Sequence, residues 1–184
     1  AVHYLDTSSM TFPTSSADGM VGVDAEEQGA PFATDPPEFD GPDDVILTEP
    51  FSVPIIDHPI VAAVTPVEGA EDRALVYMID LSKHADRISE NSDGTYTTVI
   101  DEQNRYVAHP NQSRILAEYE GGASMADSLE LGESTFSSSE EVLTGASKLE
   151  TTGWTVMVNA DSDDAYALAD QINADLLGLV LLAV

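Results

Sequence analysis

The sequence predicts an α+β fold made of two tandem modules, each an antiparallel sheet flanked by helices, followed by a long terminal helix. Of the 184 residues, 42% are apolar, which is enough for one medium core or two small ones. Residues 4–12 and 99–110 both have the pattern of a strand, a polar turn and a second strand. Residues 45–48 and 141–144 form another similar pair, each followed by a turn and strand-forming residues. The order of elements therefore occurs twice.

The first module is predicted to comprise residues 1–82. Runs of β-branched and aromatic residues predict strands near 2–6, 45–52, 60–67 and 73–80. The acidic stretch 68–72 is predicted to form the hairpin turn between the last two strands. Residues 81–92 carry apolar side chains at helical spacing, so we expect a short helix that links the two modules.

The second module is predicted to comprise residues 83–160. Its strands are expected near 95–100, 105–109, 134–139, 141–149 and 153–159. Residues 110–133 are polar and rich in loop-forming residues, with short helical pieces. The serine-rich and acidic cluster at 137–141 is predicted to turn one strand into the next.

Residues 161–184 are predicted to form a terminal helix that leads into a membrane span. Serine and aspartate at 161–164 suit a helix start, because they accept hydrogen bonds from unpaired backbone N–H groups. The last nine residues, 176–184, are uncharged and apolar, but they are too short to cross a hydrocarbon core of ~30 Å. We interpret them as the start of a membrane helix, with a buried C-terminal helix as the alternative. We also expect that both chain ends were trimmed from a longer protein, since neither an initiator methionine nor a signal peptide is present.

Acidic residues dominate the composition. The chain has 34 Asp and Glu against 6 Lys and Arg, for a formal charge of -28. In molar salt the Debye length falls to about 3 Å, which screens neighbouring carboxylates from one another. Acids spread over the whole chain therefore indicate a hypersaline environment. A phosphate backbone requires clustered Lys and Arg, so nucleic acid is excluded as a partner.

The sequence shows no recognisable pattern for catalysis or for metal binding. It has no cysteine, which excludes disulfides and thiolate chemistry. The histidines lack a zinc-type spacing, and the acids at 40–44 and 161–164 lack the calcium-loop spacing with its glycine. No Gly-x-Ser-x-Gly elbow occurs. We therefore predict a protein that is not an enzyme and has neither a cofactor nor a metal site.

Two segments of the second module carry a family resemblance. Residues 96–110 read Tyr-Thr-Thr-Val-Ile-Asp-Glu-Gln-Asn-Arg-Tyr-Val-Ala-His-Pro, and residues 152–158 read Thr-Gly-Trp-Thr-Val-Met-Val. Together they resemble the Cache family, the extracellular PAS-like sensor domains of chemoreceptors and sensor kinases. Segments 47–51, 61–67 and 75–82 resemble the membrane-distal module of that family. The chain thus resembles a double Cache arrangement, which implies a PAS-like distal module at 1–82 without the family's long N-terminal helix and a PAS-like proximal module at 83–160.

A ligand pocket is expected in the distal module. In amino-acid-binding members of the family, an aspartate at the end of that module's last strand holds the ligand amine, and the resemblance implies this role for Asp80. The same members bind the ligand carboxylate through an Arg-x-Trp-Tyr cluster, whereas residues 29–34 contain neither Arg nor Trp. Because ligand pockets are mostly apolar with a few polar groups, the further lining candidates are Phe32, Phe39, Phe51, Asp57 and Tyr77. Ordinary core packing is the alternative for the aromatic residues.

We predict from these observations the extracytoplasmic ligand-sensing domain of a membrane chemotaxis transducer of a halophile. The expected partners are a small molecule such as an organic acid or amino acid, the membrane through the C-terminal helix, and a second copy in a homodimer. The sensor domain of a membrane histidine kinase is one alternative. A halophilic surface module that binds no small molecule is the alternative from another class.

Overall fold

The computed structural model describes residues 1–89, 94–121, 128–138, 142–163 and 166. The chain divides into two compact units, which comprise Ala1–His84 with Ser113–Leu116 and Ala85–Gln112 with Ala117–Val184. The assignment of one module to the membrane-distal position and the other to the membrane-proximal position stays a prediction.

The first unit contains an antiparallel sheet of six strands. They are β1 (Val2–Asp6), β2 (Thr11–Ser15), β3 (Ile46–Leu47), β4 (Phe51–Val53), β5 (Ile56–Val67) and β6 (Ala70–Asp80). The order across the sheet is β2-β1-β6-β5-β3, and β4 pairs with β5. A short helix, α1 (Pro31–Thr34), lies between β2 and β3 in the chain, and α2 (Leu81–Ser89) follows β6 directly.

Two details of the first unit differ from the sequence prediction. The single strand expected at 45–52 is divided into β3 and β4, because the buried Pro50 has no N–H to donate to a strand ladder. The acidic turn expected at 68–72 is shorter, since Val67 pairs with Ala70 and leaves only Glu68 and Gly69 in the loop. Gly69 has a φ of 76°, which glycine adopts without steric cost.

Alternation along the strands creates the core of the first unit. Ala74, Val76 and Met78 on β6 are buried, whereas the intervening Leu75 and Tyr77 are exposed. The buried face packs against three aromatic rings, with Phe12 and Phe32 centroids 6.3 Å apart and Phe32 and Phe51 centroids 6.2 Å apart. This inner face is the one that also bears the cavity described below.

The second unit contains an antiparallel sheet of five strands. They are β7 (Thr95–Ile100), β8 (Tyr106–Ala108), β9 (Ser134–Ser138), β10 (Val142–Lys148) and β11 (Thr155–Asp161). Their order is β8-β7-β11-β10-β9. Among its described residues, one cluster of the core comprises Ile100, Tyr106, Leu129, Ala146 and Met157.

The two sheets share one strand order. In the first sheet, β1 lies between β2 and β6, and β5 lies between β6 and β3. In the second sheet, β7 lies between β8 and β11, and β10 lies between β11 and β9. The similarity of the two halves that the sequence predicts is thus present in the topology. Helices are few among the described residues: besides α1 and α2, there is a 3₁₀ turn at Gln112–Arg114.

Several predicted features lie outside the described residues. These include most of the terminal helix after Asp163, the apolar tail at 176–184 and residues 139–141 of the turn predicted at 137–141, whose first two residues, Ser137 and Ser138, belong to β9. Within the part of the chain that the structure describes, no helix is both long enough and apolar enough to cross a membrane.

Candidate functional site

A cavity of about 390 Å³ opens on the inner face of the first sheet. Ligand cavities for small molecules have volumes of roughly 300–1,000 Å³. Its wall is formed by the loop after β2, the start of β5, the end of β6 and the first turn of α2; the lining residues are Ala1, His3, Ala17, Asp18, Gly19, Met20, Ile55, Ile56, Asp57, His58, Ile60, Met78, Asp80 and Lys83. All of them belong to the first unit.

Asp80 ends β6 and caps α2. Its Oδ1 accepts hydrogen bonds from the backbone N–H groups of Ser82 (3.0 Å) and Lys83 (3.3 Å), and from Ser82 Oγ–H (2.6 Å). An aspartate at this position satisfies backbone donors that the first helical turn leaves without partners. The carboxylate is therefore held in place by the start of the helix.

The second oxygen of Asp80 faces two basic groups. Oδ2 lies 3.2 Å from Lys83 Nζ and 3.4 Å from His58 Nε2. Burial opposes ionisation of Asp80, but hydrogen bonds from Ser82 and Lys83 and the nearby His58 outweigh it and lower the pKa of this carboxyl from 3.8. Asp80 is therefore ionised at neutral pH. The Lys83 side chain is 79% exposed, so its ion pair with Asp80 contributes little to stability.

His58 also contacts a second carboxylate. His58 Nδ1 lies 3.0 Å from Asp57 Oδ1, and the Asp57 side chain is fully exposed. Asp57, His58, Asp80 and Lys83 together form what we call the rim of the cavity. This rim offers both carboxylates and basic groups to a small charged molecule.

The inner wall of the cavity is mostly apolar. Met20, Ile60 and Met78 are all at least nine-tenths buried. One polar group interrupts this wall, since His3 on β1 lines the cavity and is only 1% exposed. A charged rim over an apolar wall with one polar group is the composition that small-molecule sites commonly have.

The predicted aromatic candidates lie elsewhere. Phe32 and Phe51 belong to the core beside the cavity, where their rings contact each other, and Phe39 lines a separate surface depression with Asp40 and Gly41. Tyr77 lies on the opposite face of the sheet from Met78 and is 51% exposed. Of the predicted site residues, the cavity thus brings together only Asp57 and Asp80. A ligand role for Phe32, Phe51 and Tyr77 stays a prediction that this cavity does not support.

The cavity also contains His3, His58, Lys83 and the loop 17–20, which were not among the residues predicted for the site. A signal for His3 was present, because it lies two positions before the apolar Leu5 on a predicted strand, so both side chains point to the same, core-facing side. The loop 17–20 had no such signal, since a loop reaches a cavity only through the tertiary fold. Within the described residues, no group of three or more His, Asp or Glu side chains is arranged to hold a metal ion.

Comparison with known protein sequences gives one informative relative. Over 187 aligned positions the chain is 26% identical to the transducer protein Htr18 of Halobacterium salinarum, and the match covers 100% of this chain. It covers 22% of the length of Htr18, so the chain spans about a fifth of that protein. No protein-family model matches the chain.

Comparison with solved structures shows what fold the chain has. The ligand-binding domain of Mlp24 with asparagine matches 92% of this chain and 71% of its own, with a TM-score of 0.61 and 18% identity. The domain of the Pseudomonas aeruginosa amino acid chemoreceptor PctB with L-Gln matches 95% and 75%, with a TM-score of 0.58 and 17% identity. The extracellular domain of a protein described as a histidine kinase, vpHK1S-Z8, matches 91% and 70%, with a TM-score of 0.58 and 13% identity. These findings confirm the predicted fold: the chain has the fold of the ligand-binding domains of chemoreceptors and of the extracellular domain of vpHK1S-Z8.

Proposed function

We propose that this chain is the extracytoplasmic ligand-sensing segment of a membrane-anchored chemotaxis transducer, and that the cavity of its first unit binds a small ligand with an ammonium group. The full-length similarity to a segment of a halobacterial transducer supports the transducer over the sensor kinase. Amino acids are the first candidates, because related folds were solved with asparagine and glutamine bound.

One observation carries the proposal. An ionised carboxylate held by the start of α2, that of Asp80, stands at the rim of a cavity of suitable size whose inner wall is mostly apolar. A ligand ammonium would replace the exposed Lys83 ammonium next to Asp80 Oδ2, and Lys83 would then be free to approach the ligand carboxylate. Lys83 thus offers a positive charge in a sequence that lacks the Arg-x-Trp-Tyr cluster of the resembled family. The exchange costs little, because exposed ion pairs are weak.

The proposed signal follows from where Asp80 lies. The residue joins the last strand of the first sheet to α2, and the chain passes through α2 into the second unit. A ligand ammonium that binds the Asp80 carboxylate would change the contacts that cap this helix. Ligand binding can shift a conformational equilibrium only by the difference in affinity between the two states, and the proposed difference is the position of Asp80 and Lys83.

A thermal-shift screen tests the proposal. The chain in molar KCl is heated with amino acids, organic acids, sugars and compatible solutes in separate samples. A ligand at a hundredfold excess over its Kd stabilises the folded state by about 2.7 kcal/mol, which raises the melting temperature by roughly 5 °C or more. We expect amine-bearing compounds to give this shift and compounds without an amine to give none.

The matched variants are Asp80→Asn and Asp43→Asn. Asparagine caps helices about as well as aspartate, so Asp80→Asn removes the charge while it keeps α2 capped. Asp43 is exposed and lies outside the cavity lining, so Asp43→Asn changes the net charge equally. We expect Asp80→Asn to weaken ligand binding by roughly tenfold or more and Asp43→Asn to leave it unchanged. A screen without any shift would favour the structural module that binds no small molecule.

A further inference from the structure

His3 is a buried polar residue on the inner wall of the cavity. It lies on β1 opposite Val76 of β6, on the face of the sheet that also carries Met78. Its ring packs against Phe12 at a centroid distance of 5.1 Å. Burial first, and then the positive amino group of Ala1, lower the pKa of the His3 imidazole from 6.5, so the ring is neutral at neutral pH.

The hydrogen bonds around Ser15 determine which ring nitrogen of His3 carries the proton. Ser15 Oγ lies 2.9 Å from His3 Nδ1, donates to the carbonyl oxygen of Ala17 at 3.0 Å and accepts from the Ala17 N–H at 2.9 Å. A hydroxyl has one proton and two lone pairs. With its proton on the Ala17 carbonyl, Ser15 must accept from Nδ1–H. If the hydroxyl instead donated to Nδ1, two oxygens 3.0 Å apart would face each other with no proton between them.

The remaining nitrogen, Nε2, is consequently a hydrogen-bond acceptor. It is buried and has no hydrogen-bond partner among the residues that the structure describes. A buried polar atom without a partner costs free energy, and most such atoms are satisfied by the protein or by ordered water. Because His3 lines the cavity, a molecule bound there can supply the missing donor. The adjacent Met20 and Met78 have flexible side chains that can move to allow the approach.

We propose that His3 Nε2 accepts a hydrogen bond from the ligand, so that the cavity selects ligands whose inner end carries an N–H or O–H donor over ligands of the same shape that end in a methyl group. This inference rests on the proposed function and adds a residue and a ligand class to it. Asp80 recognises the charged end of the ligand at the rim, and His3 recognises the inner end.

The strand register sets the orientation of such a ligand. His3 pairs with Val76, four positions before Asp80 on β6. A rise of about 3.4 Å per residue places Val76 and Asp80 about 14 Å apart along the strand, a distance that the side chains of His3 and Asp80 shorten where they lean toward each other. A ligand that contacts both must therefore be extended along β6, with its ammonium at Asp80. Glutamine suits this geometry better than asparagine does, because its amide is one methylene further from the ammonium.

Isosteric pairs of amino acids test the inference. Calorimetric titration of the chain in molar KCl compares L-glutamine with L-methionine, and L-asparagine with L-leucine. In each pair only the first member has an N–H donor at its end. We expect the donor-bearing member to bind wild type about tenfold or more tightly than its partner, the effect of one buried hydrogen bond.

Two variants assign the preference to His3. His3→Phe keeps an aromatic ring but has no acceptor, and it should reduce the preference within each pair to less than about twofold. His3→Gln keeps an acceptor near the position of Nε2, and it should retain part of the preference. Circular dichroism shows whether His3→Phe folds. If it does not, the role of His3 is decided by the preference of wild type for the donor-bearing amino acid and by how much of that preference His3→Gln retains.

The outcomes separate this inference from the proposed function. Equal binding of both members of a pair to wild type, or a full preference in His3→Phe, would overturn the role of His3 while the sensor function stands; water is then the partner of Nε2. If none of the four amino acids binds wild type, the donor selection proposed here is overturned. The wider thermal-shift screen then decides whether the sensor function fails with it.

Discussion

Asp80 has a structural role, to which our proposal adds a ligand-binding role for the same side chain. Oδ1 caps α2, while Oδ2 faces the cavity rim. The capping role was readable from the sequence, since an aspartate directly before a helical pattern is a common helix start. The position of its second oxygen was not, because His58 approaches it from β5, a different strand.

Asp101 has a comparable structural role in the second unit. Its buried carboxylate accepts hydrogen bonds from the backbone N–H groups of Gln103 (3.0 Å) and Arg105 (2.7 Å). The Arg105 guanidinium donates to Oδ2 from Nε at 2.9 Å, and its Nη2 lies 2.8 Å from the same oxygen. This carboxylate holds the connection between β7 and β8.

We expect Asp101→Ala to destabilise the protein by about 3 kcal/mol or more, because it removes the acceptor of two backbone N–H groups and a buried ionic partner of the Arg105 guanidinium. Urea unfolding in molar KCl measures the change. Gln103→Ala is the control, since the Gln103 side chain is exposed and its substitution should change stability by less than about 0.5 kcal/mol. Similar unfolding midpoints for the two variants would contradict the structural role of Asp101.

At the scale of elements, the two β-hairpins that open the sheets have the same construction. Asp6 Oδ1 accepts from the backbone N–H groups of Ser8 and Ser9, much as Asp101 accepts from its own turn. The pKa of Asp6 is lowered to about 2. The hydrogen bond from the Ser8 hydroxyl has the largest effect, burial acts in the opposite direction with a smaller effect, and a hydrogen bond from Arg73 lowers the pKa further. Each turn contains a non-glycine residue of positive φ, Met10 (50°) or Asn104 (58°). The repeated strand, polar turn and strand of the sequence therefore corresponds to two similar turns, each held by the aspartate at its start.

The strands were predictable from the sequence because their residues are β-branched and alternate, and most observed bounds lie within a few residues of the predicted ones. The division at Pro50 could also have been read, since proline cannot donate to a ladder. The site was less accessible. Aromatic residues are buried in cores and in pockets alike, so residue type could not distinguish Phe32 from a pocket residue. The alternation along β6 could have excluded Tyr77 from the site, because Tyr77 lies three positions before Asp80 and therefore points to the opposite face of the sheet.

At the scale of the whole molecule, charge is the dominant property. The formal charge of -28 lies on 184 residues, and the named carboxylates with local partners, such as Asp6, Asp80 and Asp101, account for few of the 34 acids. Repulsion among the others weakens as salt shortens the Debye length from about 10 Å at 0.1 M to about 3 Å at 1 M. Folding should therefore depend on ionic strength.

We expect the melting temperature to rise steeply between 0.1 M and molar KCl, because screening reduces repulsion that is greater in the compact state. Differential scanning calorimetry over a KCl series measures this. A series in sucrose, which is excluded from the protein surface but does not screen charge, is the control and should give a smaller rise. An equal rise in both series would show that screening is not the cause.

The central claim is that the cavity of the first unit is the ligand site, and a two-dimensional ¹H–¹⁵N NMR titration in molar KCl tests it most directly. L-glutamine and L-asparagine are added separately to the labelled chain. The account predicts saturable shifts of the amide signals of residues 17–20, 57–58 and 80–83, with the strands of the second sheet unaffected except where α2 transmits the change. Shifts concentrated in the second unit, or no saturable shifts with either amino acid, would contradict it.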